Sequence, residues 1–259
     1  MKRTLILFFV AFLFSCEDEV NKPKTETPAV ISNIEIADTT IGEFIRHTHF
    51  SLSYAEEYEQ AYWVAYELVA DELTQNYDRT DKFISDPKVS THSADGDDFV
   101  GSGYDRGHLM PAAVCVWDSV AMAESFYYSN ISPQNASFNR GIWSRLEDLE
   151  RELAMKYDTV WVVITPIFDT IIERIGVNQV AVPGGYGRAF IVKENNTYKS
   201  CAFILNNEKY ESGFDFINNS SVTIDSLEAR TGLDLYFQFD DGLEAQIESK
   251  IDLEIFNNL

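Results

Sequence analysis

The chain has 259 residues, 45% of them hydrophobic and 14% aromatic, which is enough to bury one substantial core. Thirteen glycines and seven prolines beside so many aromatics exclude a collagen-like, low-complexity or largely disordered polymer. Twenty basic against 42 acidic residues, a formal net charge of -22, argue against a histone-like or repressor-like protein whose whole surface attracts polyanions.

At the start, Lys2 and Arg3 precede an apolar run from Leu5 to Phe14 that is too short to span a bilayer as a mature helix. This reads as a secretory signal over residues 1–16. Its end, Leu13-Phe14-Ser15-Cys16, resembles a bacterial lipoprotein cleavage box, with a small residue before the cysteine that receives the lipid. Cys16 is the expected lipidation site; an ordinary signal peptide with an incidental cysteine is the alternative. Loss of the signal leaves 18 basic and 42 acidic residues. Residues 17–30 begin Glu17-Asp18-Glu19 and stay polar with two prolines, as expected of an acidic tether between a membrane anchor and a folded domain. Export follows from this reading. An outer-membrane or cell-surface lipoprotein is expected, with a periplasmic or secreted protein as the alternative.

Residues 31–259 show no second linker and no repeat, so one α+β domain is expected. Tyr62 to Ala70 and Val160 to Phe168 are aromatic and β-branched runs of strand length, and both predict buried strands. Arg188 to Val192 and Lys199 to Leu205 predict two more. Val222 to Arg230 predicts a helix that starts at Thr223 or Asp225 and stops at Gly232. Cys115 and Cys201 both lie in apolar surroundings, which leaves two buried thiols and one disulfide equally open. No cysteine–histidine spacing suggests zinc.

Candidate chemistry concentrates between Gly101 and Arg151. Gly101-Ser102-Gly103-Tyr104-Asp105-Arg106-Gly107-His108 reads as a glycine-rich turn followed by one of only four histidines. Near neutral pH an imidazole is the natural general base, although a lone histidine beside glycines is more often a packed ring. Downstream, Ser137 or Asn139 can cap a helix that runs through Lys156. Ile142, Leu146, Leu149 and Leu153 form its core stripe. Asn139, Trp143, Glu147 and Arg151, each four residues from the last, form a second line, which taken alone is a solvated face with a weak Glu147–Arg151 pair.

Asp105-Arg106-Gly107-His108, Asn130-Ile131-Ser132-Pro133-Gln134, Phe138-Asn139 and Trp143-Ser144-Arg145-Leu146-Glu147-Asp148 together resemble the sugar-non-specific DNA/RNA endonucleases of the ββα-metal superfamily. The tetrapeptide alone would arise by chance in a chain this long with odds on the order of one in a thousand. Trp63 to Leu68, Asp86-Pro87, Val182-Pro183 and Thr231 to Asp234 extend the likeness from about residue 45 to residue 240. Departures are Met110 for a frequent alanine, Val114 for a frequent aspartate and Thr165 for a usual glycine. None removes a proposed catalytic group.

The resemblance implies a ββα-metal nuclease fold, with a mixed, mainly antiparallel central sheet flanked by helices. It implies that His108 activates water for attack on a phosphodiester and that Asn139 holds one Mg²⁺ directly, with Glu147 holding it through water; Mn²⁺ is a possible substitute. The metal would stabilise the departing 3′ oxygen and leave 5′-phosphate products. Arg151 and Arg79 match phosphate-clamping arginines, and Asn130 matches an active-site asparagine expected to position the histidine or its loop. Arg106 is read as structural. DNA, RNA or both are the expected substrates, with no obligate protein partner; a binding module without activity and a phosphoesterase for small nucleotides are the alternatives. The acidity is uneven: residues 205–259 hold 12 acidic and 3 basic residues, whereas residues 136–160 hold 5 and 4. Distant charge is screened within about 8 to 10 Å at physiological ionic strength, so the site can still accept phosphate.

Overall fold

In the computed structural model, which describes residues 37–257, nine strands form. They are β1 (Glu43–Arg46), β2 (Ser51–Ala55), β3 (Gln60–Leu68), β4 (Asp105–His108), β5 (Ile131–Gln134), β6 (Thr159–Ile175), β7 (Val180–Glu194), β8 (Thr197–Asn206) and β9 (Ser221–Val222). Seven make one sheet in the order β1-β2-β3-β6-β7-β8-β9, antiparallel at every pairing. β4 and β5 form a separate antiparallel ribbon.

The near-continuous apolar run in β6 has a physical cause. Val160, Val162 and Ile164 enter one core with Tyr66, Phe190 and Phe203. Trp161 and Val163 enter a second core with Trp63, Ala65 and Tyr236. A sheet covered on both faces needs apolar side chains at every position, so the usual in–out alternation disappears. The first core is closed by a long helix ending at Lys156, the second by the helices Ile224–Thr231 and Asp241–Glu248. The fold is therefore α+β, with a mainly antiparallel central sheet flanked by helices. The described residues lie within a unit bounded by Ile31 and Leu259.

β6 and β7 run well beyond the segments legible as strands. Their extra length carries Asp169, Glu173 and Arg174 on one side and Pro183-Gly184-Gly185 on the other, which hide a strand pattern. Register shifts on either side of Ile171 absorb the irregularity as bulges. The helix Ile224–Thr231 begins and ends as expected: Thr223 accepts the Ser226 amide at 3.0 Å, and Gly232, at φ 73°, closes the C-terminus. Cys115 and Cys201 are separate buried thiols, which removes the disulfide alternative. The signal over residues 1–16, Cys16 and the tether over residues 17–30 lie outside the described residues. Among the described residues no helix is long and apolar enough to cross a membrane.

Just after β1, the buried His47 ring sits between two carboxylates, Nε2 2.9 Å from Asp86 and Nδ1 3.6 Å from Glu124. Burial alone would lower the His47 pKa, but the hydrogen bond to Asp86 and the negative charge of Asp86 and the nearby Glu124 outweigh it and raise it above 6.5. Burial likewise opposes ionisation of Asp86 and Glu124; His47, Ser129 and the Lys88 amide at Asp86, and His47 and Thr48 at Glu124, outweigh it and hold them below 3.8 and 4.5. The histidine contribution is complete below pH 6.5 and is lost as pH rises through its raised folded value. The carboxylate contributions are complete above 3.8 and 4.5 and are lost as pH falls through their lowered values. His47→Gln is expected to flatten the alkaline decline in thermal midpoint between about pH 5.5 and 8.5. An identical decline in the variant would show that the ring is neutral in the folded chain.

Candidate active site

The site is built on the ribbon β4–β5 and the helix that follows it. Asp105 pairs with Gln134 and His108 with Ile131, so the Asp-Arg-Gly-His tetrapeptide is a strand. Only the preceding glycines make the turn, with Gly101 at φ 69° and Gly103 at φ 85°. Gly107 serves close approach: a Cβ there would stand 2.1 Å from Oε1 of the buried Gln134.

The helix begins earlier than expected, two residues before Ser137 and four before Asn139, because Asn135 caps it by accepting the amides of Ser137 at 2.9 Å and Phe138 at 3.4 Å. Neither Ser137 nor Asn139 is the cap. A turn of α-helix (Ala136–Phe138) leads into a π-helical turn (Asn139–Trp143) and then a regular helix (Ser144–Lys156). The wide turn breaks the expected four-residue line. Trp143 is fully buried and donates from Nε1 to the His108 carbonyl at 3.2 Å, while Asn139, Glu147 and Arg151 stay partly exposed. The stripe of Ile142, Leu146, Leu149 and Leu153 is buried as the spacing predicts.

Asn139 is oriented by a partner that sequence reasoning missed. Its Nδ2 donates to Asp105 Oδ2 at 3.0 Å. A carboxylate only accepts, so the amide nitrogen must face Asp105, and Oδ1 is the atom left to bind a cation. Arg140 grips the same carboxylate with two bonds, 2.7 Å from Nε and 2.6 Å from Nη2. Burial would raise the Asp105 pKa; the bonds from Arg140 and Asn139 outweigh it and hold the group ionised.

The His108 residue is only 7% exposed, with its ring edge-on to Phe126 at 4.9 Å and tilted against Phe83 at 5.5 Å. Its Nε2 has no hydrogen-bond partner. Burial first, then Arg79, push the ring's pKa down to about 3, with Asp81 opposing and Arg106 adding to the effect. The imidazole is thus neutral and able to accept a proton, and it is more enclosed than a ring lying open to substrate. Asn130 is fully buried; its amide accepts the Met110 N–H at 2.8 Å and donates to the Met110 carbonyl at 2.9 Å, two residues past His108. Arg188, also fully buried, donates to the Leu109 carbonyl at 3.1 Å and to Glu150 at 3.0 Å, tying the histidine strand to the site helix. Nothing in its sequence neighbourhood marks Arg188 for that position.

A cleft of about 480 Å³ opens beside Asn139 and Asp105 and is lined by Arg79, Asp81, Phe83 and Arg106. Arg79 pairs with Asp81 at 2.6 Å and lies over the Phe126 ring. Arg106 lies over Phe83 at 4.1 Å and has no carboxylate partner among the described residues, so it is the cation of the cleft most available to phosphate. Its position is that of a cleft residue, beyond the structural part expected of it. His108, Glu147 and Arg151 do not line this cleft. Glu147 is half-buried, and burial pushes its pKa up to about 7, against the pull of Arg188 and with repulsion from Glu150. Arg151 bonds the Glu147 carbonyl at 3.0 Å and the Asp148 carboxylate, so the expected side-chain pair with Glu147 does not form.

The family model for DNA/RNA non-specific endonucleases matches residues 31–246. The chain belongs to that family. Its relatives include the mitochondrial nuclease EXOG of Xenopus laevis, 31% identical over 84% of this chain and 64% of that protein. A nuclease of Serratia marcescens is 28% identical over 95% of this chain and 93% of its own length. Among solved structures, a chain in the crystal structure of the EndoG/EndoGI complex superposes with a TM-score of 0.73 at 27% identity, covering 77% of this chain and 88% of that one. The chain thus spans just under two thirds of the EXOG relative and nearly all of the bacterial one. The family is one of metal-dependent ββα nucleases, and what this site offers a hard cation is the Asn139 amide oxygen, whose nitrogen is already committed to Asp105.

Proposed function

We propose that the chain is an exported endonuclease that hydrolyses DNA, RNA or both with a divalent ion, Mg²⁺ in the first instance. The observation that carries the reading is the Asp105–Asn139 bond at the rim of a cleft holding Arg79 and Arg106. Asn139 would hold the ion directly, and Glu147 would hold its waters. The bound ion supplies charge that stabilises a departing 3′ oxygen. His108, neutral and with Nε2 unpaired though enclosed, would take the proton of the attacking water once substrate and water reach it. Arg106 and Arg79 receive phosphate oxygens through their planar donor forks. Asn130 and Trp143 act at one remove, by holding the backbone around His108.

Nicking of supercoiled plasmid and cleavage of RNA by the full chain are expected with Mg²⁺ and absent with chelator. Asn139→Ala is expected to need far more Mg²⁺ for the same rate. Cleavage that proceeds equally in chelator would remove the metal from the reading. A chain that binds DNA without cutting it under any metal would favour the binding module, and activity confined to mononucleotides the phosphoesterase.

Export and anchoring rest on Lys2, Arg3, the apolar run and Cys16. Labelled palmitate is expected to enter the chain and to be lost in Cys16→Ser. A parent chain that takes up no label has no lipid anchor at that residue.

A further inference from the structure

We propose that the chain carries a second cation site, for calcium, formed by Asp225, Glu228 and Glu248 where the helices Ile224–Thr231 and Asp241–Glu248 meet. One carboxylate oxygen from each of the three lies within 4.8 Å of the others. Glu248 is 6% exposed, and its Oε1 is shielded from solvent with no hydrogen-bond partner. A buried carboxylate oxygen without a donor is costly, and a cation is one of the few groups that can satisfy it. Glu228 is half-buried and anchored through Oε1, which accepts the Leu235 amide at 2.6 Å; Asp225 is exposed and gives an ion a way in.

No lysine, arginine or histidine forms an ion pair with these three among the described residues. The arginine nearest in sequence, Arg230, is paired with Asp169 at 3.0 Å. Asp234 and Glu244 stand close enough to repel Glu248 further. Such crowding of like charge is relieved by uptake of a proton or by a bound cation.

The donors are all oxygens, which selects a hard ion over zinc or copper. Calcium accepts irregular shells with bonds of about 2.3–2.6 Å, whereas magnesium demands a tight octahedron at about 2.0–2.1 Å and keeps its waters. Oxygens as far apart as 4.8 Å can lie opposite one another around the larger ion. The site is distinct from the nuclease centre. It sits beside Ile224, Leu227 and Ile247 of the second core, on the other face of the sheet from the helix that carries Asn139. Its expected effect is to clamp the two helices that cover that face, so calcium stabilises the fold without entering the reaction.

Calorimetric titration of the chelator-stripped full chain with CaCl₂, together with thermal unfolding, tests this. Asn139→Ala is expected to retain one calcium-binding event and the accompanying rise in thermal midpoint. Glu248→Gln is expected to lose both, and Asp225→Asn to weaken binding at least about tenfold. Glu248→Gln is near-isosteric and Asp225→Asn is an exposed change, so both variants should fold; circular dichroism checks that they do. Unchanged calcium binding in both carboxylate variants, or no binding in Asn139→Ala, would overturn the proposal and leave the three groups sharing protons. Equal affinity for Mg²⁺ in the Asn139→Ala chain would overturn the assignment to calcium.

Discussion

His108→Ala is expected to lower the rate of plasmid cleavage by about 10²–10⁴-fold, the range typical of removing a general base. The variant loses contacts to Phe83 and Phe126 but no hydrogen bond at Nε2, so a folded, metal-binding and inactive chain is the expected product. The pH dependence carries a sharper signature. With its pKa held down to about 3 by burial and by Arg79, the ring stays in its basic form far below the usual histidine range. In kcat/KM, which reports the free enzyme, the ratio of parent to His108→Ala is therefore expected to be constant from about pH 5 to pH 7. Taking the ratio cancels any limb contributed by Glu147. A ratio that falls about tenfold per pH unit below 6.5 would mean that the ring titrates normally and that the enclosed arrangement is not the working one. A variant that cuts as fast as the parent would remove His108 from the base role altogether.

Arg188→Met is expected to cost about 3–5 kcal/mol of stability, the cost of leaving a buried charge without its partner. Arg188 and Glu150 are both wholly buried and 3.0 Å apart, and the Tyr66 hydroxyl lies 2.9 Å from each Glu150 oxygen. The guanidinium also lies 4.3 Å over the Trp143 ring and bonds the carbonyl beside His108. Its loss therefore loosens the histidine strand as well as the core. Burial already raises the Glu150 pKa and Arg188 opposes that shift, so without Arg188 the carboxyl takes up a proton more readily. Adding Glu150→Gln to Arg188→Met is expected to recover much of the loss, because the orphaned charge is gone. Urea unfolding of the two variants checks this. A single-variant loss below about 1 kcal/mol would mean that water or another cation already serves Glu150.

These two positions mark how far the sequence can be read. His108 was legible as a candidate base because its tetrapeptide is local and chemically unusual. Arg188 was not: it sits in an apolar strand, 38 positions from Glu150, and only the packing of β7 against the site helix joins them. The same holds for Asp105 and Asn139, 34 positions apart, whose bond decides which amide atom can face a metal. The helix cap went to Asn135 over two other residues of capping type. Its own amide is held by Asn207 at 2.8 Å, a contact from the far side of the fold.

Periodicity and local residue type were sufficient for the elements whose stability is local or whose burial is uniform. These include the stripe of Ile142, Leu146, Leu149 and Leu153, the apolar core of β6, the Thr223 start and the Gly232 stop. The tetrapeptide and its spaced partners were sufficient for the family. Tertiary structure alone decided the π-helical turn that buries Trp143, the separation of Cys115 from Cys201, the placing of Arg106 in the cleft and the meeting of Asp225, Glu228 and Glu248. Each of these depends on groups far apart in the chain, and their energies exist only after the backbone has closed the loops between them.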